Sequence, residues 1–192
     1  KQPAAMLAEA AGRGLSVVPR GSGTKLTWTR SAATADTYFS TKRLDAPIQH
    51  FSGDLVATLP SGATLAAANA TLAQAGQWLP LDPRFAECAT IGGIVATNDS
   101  GPRRYKYGSP RDLIIGVEIA LSDGRLAKAG GRVVKNVAGY DLSRLVCGSF
   151  GTLAVITSAT FKLAPLPAAS RTVVATWAGV EGGGGLAVTI GS

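Results

Sequence analysis

The sequence is poor in the residues that most often mark secreted, metal-binding or membrane proteins. Its 192 residues include one histidine and two cysteines, and aromatic residues make up 6% of the chain. Cys88 and Cys147 are far apart in the sequence, so we expect two small buried apolar side chains in a reducing compartment rather than a disulfide framework. No apolar run reaches the roughly 18 residues of a membrane span, and no signal-peptide pattern opens the chain. No cluster of His, Cys or acidic residues predicts a metal site. These absences predict a cytoplasmic protein without a transmembrane segment.

The balance of charge raises a second question. Apolar residues make up 46% of the chain and charged residues 16%, which is typical of a globular protein, and the formal net charge is +7. The densest basic stretch interleaves cations and aromatics: Arg103, Arg104, Tyr105, Lys106, Tyr107 and Arg111. Such a stretch can bind a single nucleic-acid strand, or it can face an anionic ligand or an acidic partner subunit. Because no nucleic-acid-binding motif accompanies it, we favour the second interpretation and predict no nucleic-acid partner.

The periodicity of apolar residues predicts an α+β fold in which mixed sheets are flanked by helices. The predicted helices cover residues 3–13, 64–75 and 141–147. Gly14 and Gly76 end the first two, and the side chain of Thr64 is expected to cap the start of the second. The predicted strands cover 15–18, 55–59, 113–121, 126–129, 153–157, 159–163 and 172–177. Asp123 and Gly124 form the turn of a hairpin between two of these strands. Residues 78–81 are expected to be extended.

Four glycine-rich segments are the most informative feature, at residues 20–24, 90–93, 98–101 and 148–152. Glycine lets a ligand approach the backbone, and successive N–H groups in such loops bind anions, phosphates above all. The first segment, residues 20–24, is not a Walker loop, because a lysine and then a hydroxyl residue do not follow its last glycine directly. It is not a Rossmann fingerprint either, because no helix is predicted after it and the glycine spacing differs. Each of the four alone can be a plain turn or a close contact between two backbones. Together they indicate a cradle for one large phosphorylated ligand.

The order of these motifs along the chain resembles a known family. The matching segments are PRGSGTK (19–25), LDP (81–83), TIGGIVATNDSG (90–101), YG (107–108), RDLIIGV (111–117), VVKNVAGYDL (133–142) and GSFGTLAVIT (148–157). In this order they resemble the flavoproteins of the vanillyl-alcohol oxidase and p-cresol methylhydroxylase type, and within that family the FAD-binding subunits of glycolate oxidases (glycolate dehydrogenases). Ala154 stands where the family often has another glycine.

The resemblance implies a cofactor and a set of residues to hold it. Residues 21–25 would wrap the FAD diphosphate, Gly108 would pack against the flavin, and Ile156 would meet the adenine end. The diphosphate and ribityl path would be lined by Gly92, Gly93, Asn98, Ser100 and Gly101. The implied FAD-binding residues are Arg20, Gly21, Ser22, Gly23, Thr24, Lys25, Asp82, Pro83, Thr90, Gly92, Gly93, Thr97, Asn98, Ser100, Gly101, Gly108, Gly151 and Ile156. Thr24 occupies the place where some members carry a histidine that binds FAD covalently, so noncovalent FAD is expected. His50, between two predicted strands, is expected to be structural rather than catalytic.

The resemblance also implies an organisation and an activity. The FAD-binding domain would be two-lobed, with an N-terminal α/β lobe over residues 1–60 and a second α+β lobe over 61–167. Residues 168–192 would begin a cap domain, which supplies substrate residues in the family, or form a flexible tail. The implied reaction is hydride transfer from a small 2-hydroxy acid such as glycolate to flavin, with sister flavin and iron–sulfur subunits as partners, in the cytoplasm or at the inner membrane through those partners. No residue is identified as the catalytic base, which leaves open an FAD-carrying structural or electron-transfer subunit without a substrate site.

Overall fold

The computed structural model of the protein describes residues 2–29, 35–131 and 141–171, and its largest element is a five-stranded antiparallel sheet. The helices are α1 (Gln2–Gly12), α2 (Leu65–Ala73), α3 (Ile91–Thr97), α4 (Arg104–Tyr107), α5 (Pro110–Leu113) and α6 (Leu142–Val146). The strands are β1 (Val17–Arg20), β2 (Thr37–Ser40), β3 (Gln49–Phe51), β4 (Val56–Pro60), β5 (Gln77–Trp78), β6 (Ile114–Ala120), β7 (Leu126–Gly130), β8 (Val155–Lys162) and β9 (Ala164–Pro165). This mixture of helices and sheets confirms the predicted α+β class.

The five-stranded sheet has the order β3-β4-β8-β6-β7. β8 lies at its centre and pairs with β4 on one side and β6 on the other, so that Ala159 stands opposite Leu59 and Val117. The predicted hairpin between β6 and β7 is confirmed. Its turn contains Gly124 with φ +84°, a left-handed conformation that glycine adopts without strain.

One face of this sheet and the helices α2, α3 and α6 enclose the main core. Phe161 and Leu59 from the sheet, Leu72 from α2 and Ile94 from α3 are fully buried in it. Burying each such side chain contributes roughly 1.5–3 kcal/mol to folding. As predicted, the Thr64 side chain caps α2 by accepting the N–H of Ala67 at 3.2 Å.

A smaller layer lies beside the main sheet. β1 and β2 form a two-stranded parallel sheet, with Val17 opposite Thr37, and β5 and β9 form a short antiparallel pair. A second apolar cluster contains Leu7 of α1, Phe39 of β2 and Val155 of β8, and it joins α1 and this layer to the main sheet. It places the carboxyl end of β1 beside the main sheet and its helices.

The prediction that differs most from the structure is the glycine loop at residues 90–93. Instead, Ile91, Gly92 and Gly93 open helix α3. The local glycine content hid this helix, because its stability comes from burying Ile91, Ile94 and Val95 rather than from helix propensity.

Other predicted elements differ in their boundaries. The strand expected to stop before Pro19 continues to Arg20, and the strands expected at 153–157 and 159–163 form the single strand β8. His50 lies inside β3 rather than between strands, and Cys88 is exposed, contrary to the expectation that both cysteines are buried. Surface position and register depend on tertiary packing, which no local pattern reports.

Strands from both sides of residue 60 share the five-stranded sheet, since β4 pairs with β8. The division into lobes at residue 60 and the start of another domain at residue 168 stay predictions. The strand predicted at 172–177 and most of the 133–142 motif lie outside the described residues. Within the described part of the chain, no helix has both the length and the apolar character needed to cross a membrane.

Candidate FAD-binding site

The site begins where β1 ends. The chain leaves Arg20 into a loop of residues 21–25, the 21–25 loop, in which Gly23 has φ +78°. The backbone N–H groups of residues 21–24 donate to no acceptor in the described part of the chain. A row of unpaired N–H groups in a turn is the arrangement that binds phosphate oxygens.

Helix α3 forms the second wall. The Thr90 side chain caps the helix and accepts the N–H of Gly93 at 3.4 Å. Gly21 of the 21–25 loop lies against this cap, and a Cβ atom at Gly21 would overlap the Thr90 Oγ1 atom. The loop and the helix therefore approach each other closely only because residue 21 has no side chain.

Residues 148–152 form the third wall. The N–H of Gly148 donates to the Val95 carbonyl at 3.0 Å, and the N–H of Phe150 donates to the Ala96 carbonyl at 2.7 Å, which fastens this segment to α3. Gly151 has φ +76°, and a Cβ there would lie 3.2 Å from Pro19 Cγ. Three segments distant in sequence are thus brought to one place.

Between these walls lies a cavity of about 290 Å³. The predicted site residues that line it are Arg20, Gly21, Ser22, Gly23, Thr24, Lys25, Thr90, Gly93, Thr97 and Gly151. Its volume is near the lower bound of roughly 300–1,000 Å³ for small-molecule sites, which suits one segment of an extended ligand. The row of unpaired N–H groups at residues 21–24 fits the diphosphate of a dinucleotide cofactor such as FAD.

The cavity also has walls that sequence reasoning did not assign to the site. These residues are Ser16, Val17, Val18, Pro19, Leu26, Thr29, Ala35, Ala96, Phe150 and Thr152. Val17 and Val18 were predicted only as strand residues, and Phe150 stands within a quoted motif. Only their closeness in the sequence to the glycine-rich segments could have indicated that these residues line the site. Apolar side chains that line a cavity form no recognisable sequence motif.

A buried ion pair stands at the end of the 21–25 loop. The Lys25 ammonium lies 3.2 Å from Asp99 Oδ2, and the two side chains are 5% and 6% exposed. Asp99 Oδ2 also accepts the N–H of Arg84 at 3.1 Å. Lys25 Nζ lies 5.9 Å from the centre of the Trp28 ring, which adds a cation–π contact. The charge of Lys25 is thus already paired inside the protein.

A second group of predicted site residues lies outside the cavity. It consists of Asp82, Pro83, Gly92, Asn98, Ser100, Gly101, Gly108 and Ile156, none of which lines the cavity. Ile156 is a buried residue of β8 opposite Ile119. Gly92 packs against Ser61, where an added Cβ would lie 2.9 Å from Ser61 Cβ.

Half of this second group belongs to residues 98–112, which we call the capped turns because side chains accept several of their backbone N–H groups. The Asp82 carboxylate accepts the N–H of Gly101 and the N–H of Arg103, each at 2.9 Å. The Asn98 Oδ1 atom accepts the N–H of Arg111 at 3.1 Å and the thiol of Cys147 at 3.4 Å. The protein itself supplies the acceptors that an anionic ligand would provide.

Two titratable groups at the capped turns have shifted pKa values. Burial raises the pKa of the Cys147 thiol to about 11. The pKa of Asp112 is lowered because its carboxylate accepts the hydroxyl of Ser109 at 2.7 Å and the N–H of Ser109 at 2.8 Å. These bonds stabilise the turn before α5.

The basic stretch is partly a structural element. The Arg103 guanidinium lies 4.8 Å from the centre of the Trp78 ring, and Tyr107 meets that ring edge-on at 5.7 Å between centroids. The lone histidine is also engaged, because His50 Nε2 bonds to Gln77 Oε1 at 2.9 Å. Among the described residues no group of three or more His, Cys, Asp or Glu could hold a metal ion.

Comparison with known proteins agrees with this geometry. Residues 1–130 match a family model described as an FAD binding domain. The chain is 48% identical over 118 residues to glycolate oxidase subunit GlcE of Escherichia coli, with 61% of this chain and 34% of that protein covered. It is 35% identical over 165 residues to glycolate oxidase subunit GlcD of Bacillus subtilis, with 86% of this chain and 35% of that protein covered.

A third relative and a solved structure extend the likeness. The D-lactate dehydrogenase of Archaeoglobus fulgidus is 36% identical over 165 residues, which cover 86% of this chain and 37% of that protein. The structure of an alkyldihydroxyacetonephosphate synthase superposes with a TM-score of 0.73 at 23% identity, covering 88% of this chain and 33% of that one. The chain spans about a third of the length of the curated relatives it matches. It belongs to the FAD-binding-domain family of flavoproteins, with the p-cresol methylhydroxylase-type fold that the resemblance predicted.

Proposed function

We propose that this chain holds FAD noncovalently, with the diphosphate against the unpaired N–H groups of residues 21–24. The observation that carries the proposal is the convergence of the 21–25 loop, α3 and residues 148–152 on one cavity. Thr24 lines that cavity, and its hydroxyl is not a group that attaches flavin as a histidine would. The residues around the cavity bind and orient the cofactor, and the apolar side chains of Val17 and Leu26 exclude water from it.

We further propose that the domain serves the oxidation of a small 2-hydroxy acid such as glycolate to the 2-oxo acid. A bound flavin would supply the two-electron chemistry by accepting a hydride from the α-carbon, while the hydroxyl proton leaves to a base. The support for this substrate class is the likeness to glycolate oxidase subunits and a D-lactate dehydrogenase. The proposed partners are a sister flavin subunit and an iron–sulfur subunit, which would accept the electrons.

An FAD-carrying or electron-transfer role without a substrate site is the second candidate. It is favoured by the described residues themselves, because the lone histidine is held by Gln77. Glycolate added anaerobically to the purified, FAD-loaded protein distinguishes the two. Bleaching of the flavin absorbance within one turnover supports substrate oxidation, whereas an unchanged spectrum supports the carrier role.

Cofactor binding itself is tested by titrating the purified chain with FAD and following the quenching of flavin fluorescence. We expect saturable binding of FAD, weaker binding of FMN because it lacks the diphosphate bridge and the adenosine, and release of all flavin on acid denaturation. Flavin that stays attached to the denatured chain would contradict noncovalent binding. A chain that does not bind FAD at all would contradict the proposal as a whole.

A further inference from the structure

The buried pair of Lys25 and Asp99 invites a question about the 21–25 loop. A lysine within a phosphate-binding loop would ordinarily be expected to contact the phosphate directly. Here the Lys25 ammonium is 3.2 Å from Asp99 Oδ2, and the side chains are 5% and 6% exposed. Its charge is compensated by the protein, and its position is determined by a residue that follows α3.

We infer that Lys25 is a positioning residue, whose ion pair with Asp99 holds the 21–25 loop against α3 in the conformation that binds the FAD diphosphate. The inference rests on the proposed function and adds to it a role for two specific side chains. The diphosphate would then be bound by the backbone N–H groups of residues 21–24 and not by the Lys25 ammonium.

The contacts around the pair explain how it would act. Asp99 directly follows Asn98, which ends α3 in a left-handed conformation with φ 51°. The other contact of Asp99 Oδ2 is the N–H of Arg84 at 3.1 Å. Asp99 is thus fixed on the helical side, and Lys25 is fastened to it from the loop side. The pair closes the loop at the end opposite Gly21, which already lies against Thr90.

The pair therefore lies at one end of the row of N–H groups and the Gly21–Thr90 contact at the other. A loop held at both ends loses less conformational entropy when it binds a ligand than a loop held at one end. Removal of the ion pair should weaken binding even though neither side chain touches the phosphate. A direct Lys25–phosphate contact makes the opposite prediction for Asp99, because its removal would free a cation for the ligand.

The test is a double-mutant cycle in the full chain with Lys25→Met, Asp99→Asn and both together. FAD affinity is measured by fluorescence titration, and thermal unfolding without ligand is measured in parallel. Each single variant leaves one buried charge unpaired and can destabilise the fold, whereas the double variant leaves none. Asn at position 99 still offers an acceptor to the N–H of Arg84. The double variant is therefore the decisive one.

We expect each single variant and the double variant to bind FAD roughly tenfold or more weakly than the unmodified chain. The double variant should be no weaker than the worse single variant, as coupled residues behave. Asp99→Asn that binds FAD as well as or better than the unmodified chain would overturn the inference in favour of a direct phosphate contact. A double variant with unchanged FAD affinity would overturn it in favour of a purely structural pair.

A matched control comes from the pair of Lys128 and Glu118 on the main sheet. Their side-chain atoms lie 2.8 Å apart, the side chains are 70% and 46% exposed, and neither residue lines the cavity. Lys128→Met with Glu118→Gln removes the same two charges and should leave FAD affinity unchanged. An unmodified chain that does not bind FAD would overturn the proposed function and this inference together, which separates that failure from the two above.

Discussion

The 21–25 loop and the capped turns are built from similar residues, yet their backbone N–H groups end in opposite states. In the loop, the N–H groups of residues 21–24 have no acceptor within the described residues, and these residues line a cavity. In the capped turns, the N–H groups of Gly101 and Arg103 are bound by the Asp82 carboxylate. Both segments looked like anion sites in the sequence. An unpaired N–H, and not a glycine, is what makes a turn available to a phosphate.

The two segments also differ in the contacts that hold them in place. The loop is held by its contact with α3 and by the Lys25–Asp99 pair, and its N–H groups stay free. The capped turns are held through those N–H groups themselves, so that the same bonds which stabilise them remove their capacity to bind a ligand. The predictions that follow test this difference between the two segments.

The largest effect is expected for Gly21→Val. A side chain at residue 21 overlaps the Thr90 Oγ1 atom and separates the 21–25 loop from α3. FAD affinity should fall by at least about 100-fold, a loss of roughly 2.7 kcal/mol. Gly53→Val is the control, because a Cβ at Gly53 meets nothing within 4 Å. Fluorescence titration measures both, and an unchanged affinity in Gly21→Val would place the cofactor elsewhere.

Substitutions at Gly92 and Gly93, which are neighbours in α3, should affect different quantities: the first the stability of the fold, the second the affinity for FAD. At Gly92 an added Cβ lies 2.9 Å from Ser61 Cβ, so Gly92→Ala should destabilise the fold by about 1–3 kcal/mol. At Gly93 the nearest atom is Thr90 Oγ1 at 3.2 Å, and the residue lines the cavity. Gly93→Ala should weaken FAD binding by about tenfold (about 1.4 kcal/mol) while the unfolding temperature stays the same or rises, since alanine favours helix. Thermal unfolding and FAD titration of both variants check this, and equal effects on both quantities would contradict it.

A substitution in the capped turns should lower the stability of the fold before it affects FAD binding. Asp82→Ala removes the acceptor of two N–H groups, and the free energy of unfolding should fall by about 1–3 kcal/mol. Because the freed N–H groups resemble those of the 21–25 loop, inorganic phosphate should restore more stability to this variant than to the unmodified chain. Chemical unfolding with and without phosphate measures the difference. If phosphate affects both proteins equally, the proposed equivalence of the two segments is wrong.

The smallest effect concerns the pH dependence of stability. Burial raises the pKa of the Cys147 thiol from its ordinary value of 9.0 to about 11 in the folded protein. The unfolded chain therefore loses this proton first, and the stability that Cys147 contributes is present below pH 9 and lost as pH rises towards 11. Unfolding midpoints between pH 8 and pH 11 should fall more steeply in the unmodified chain than in Cys147→Ala.

The two cysteines should also differ in reactivity. Exposed Cys88 should react with a thiol reagent in the native state, and buried Cys147 only after unfolding.

Parts of this molecule could be predicted because their causes are local. The hairpin turn at Gly124, the cap of α2 at Thr64 and the helix ended before Gly14 follow from the conformational preferences of a few adjacent residues. The family could be identified from the order of short motifs, because that order is a property of the sequence itself. Helix α3, the single strand β8 and the exposure of Cys88 could not, because burial against distant segments decides them.

The amino-acid sequence determined on its own which backbone positions lack a side chain, and hence where a dinucleotide could approach the chain. The tertiary structure decided which of those positions face one cavity, because that depends on where residues 20–25, α3 and residues 148–152 meet. It also decided that Asp82 occupies the N–H groups of one turn and that Lys25 is paired with Asp99. Hydrogen-bond partners far apart in the chain are chosen by the packing of the core, and no local pattern contains that information.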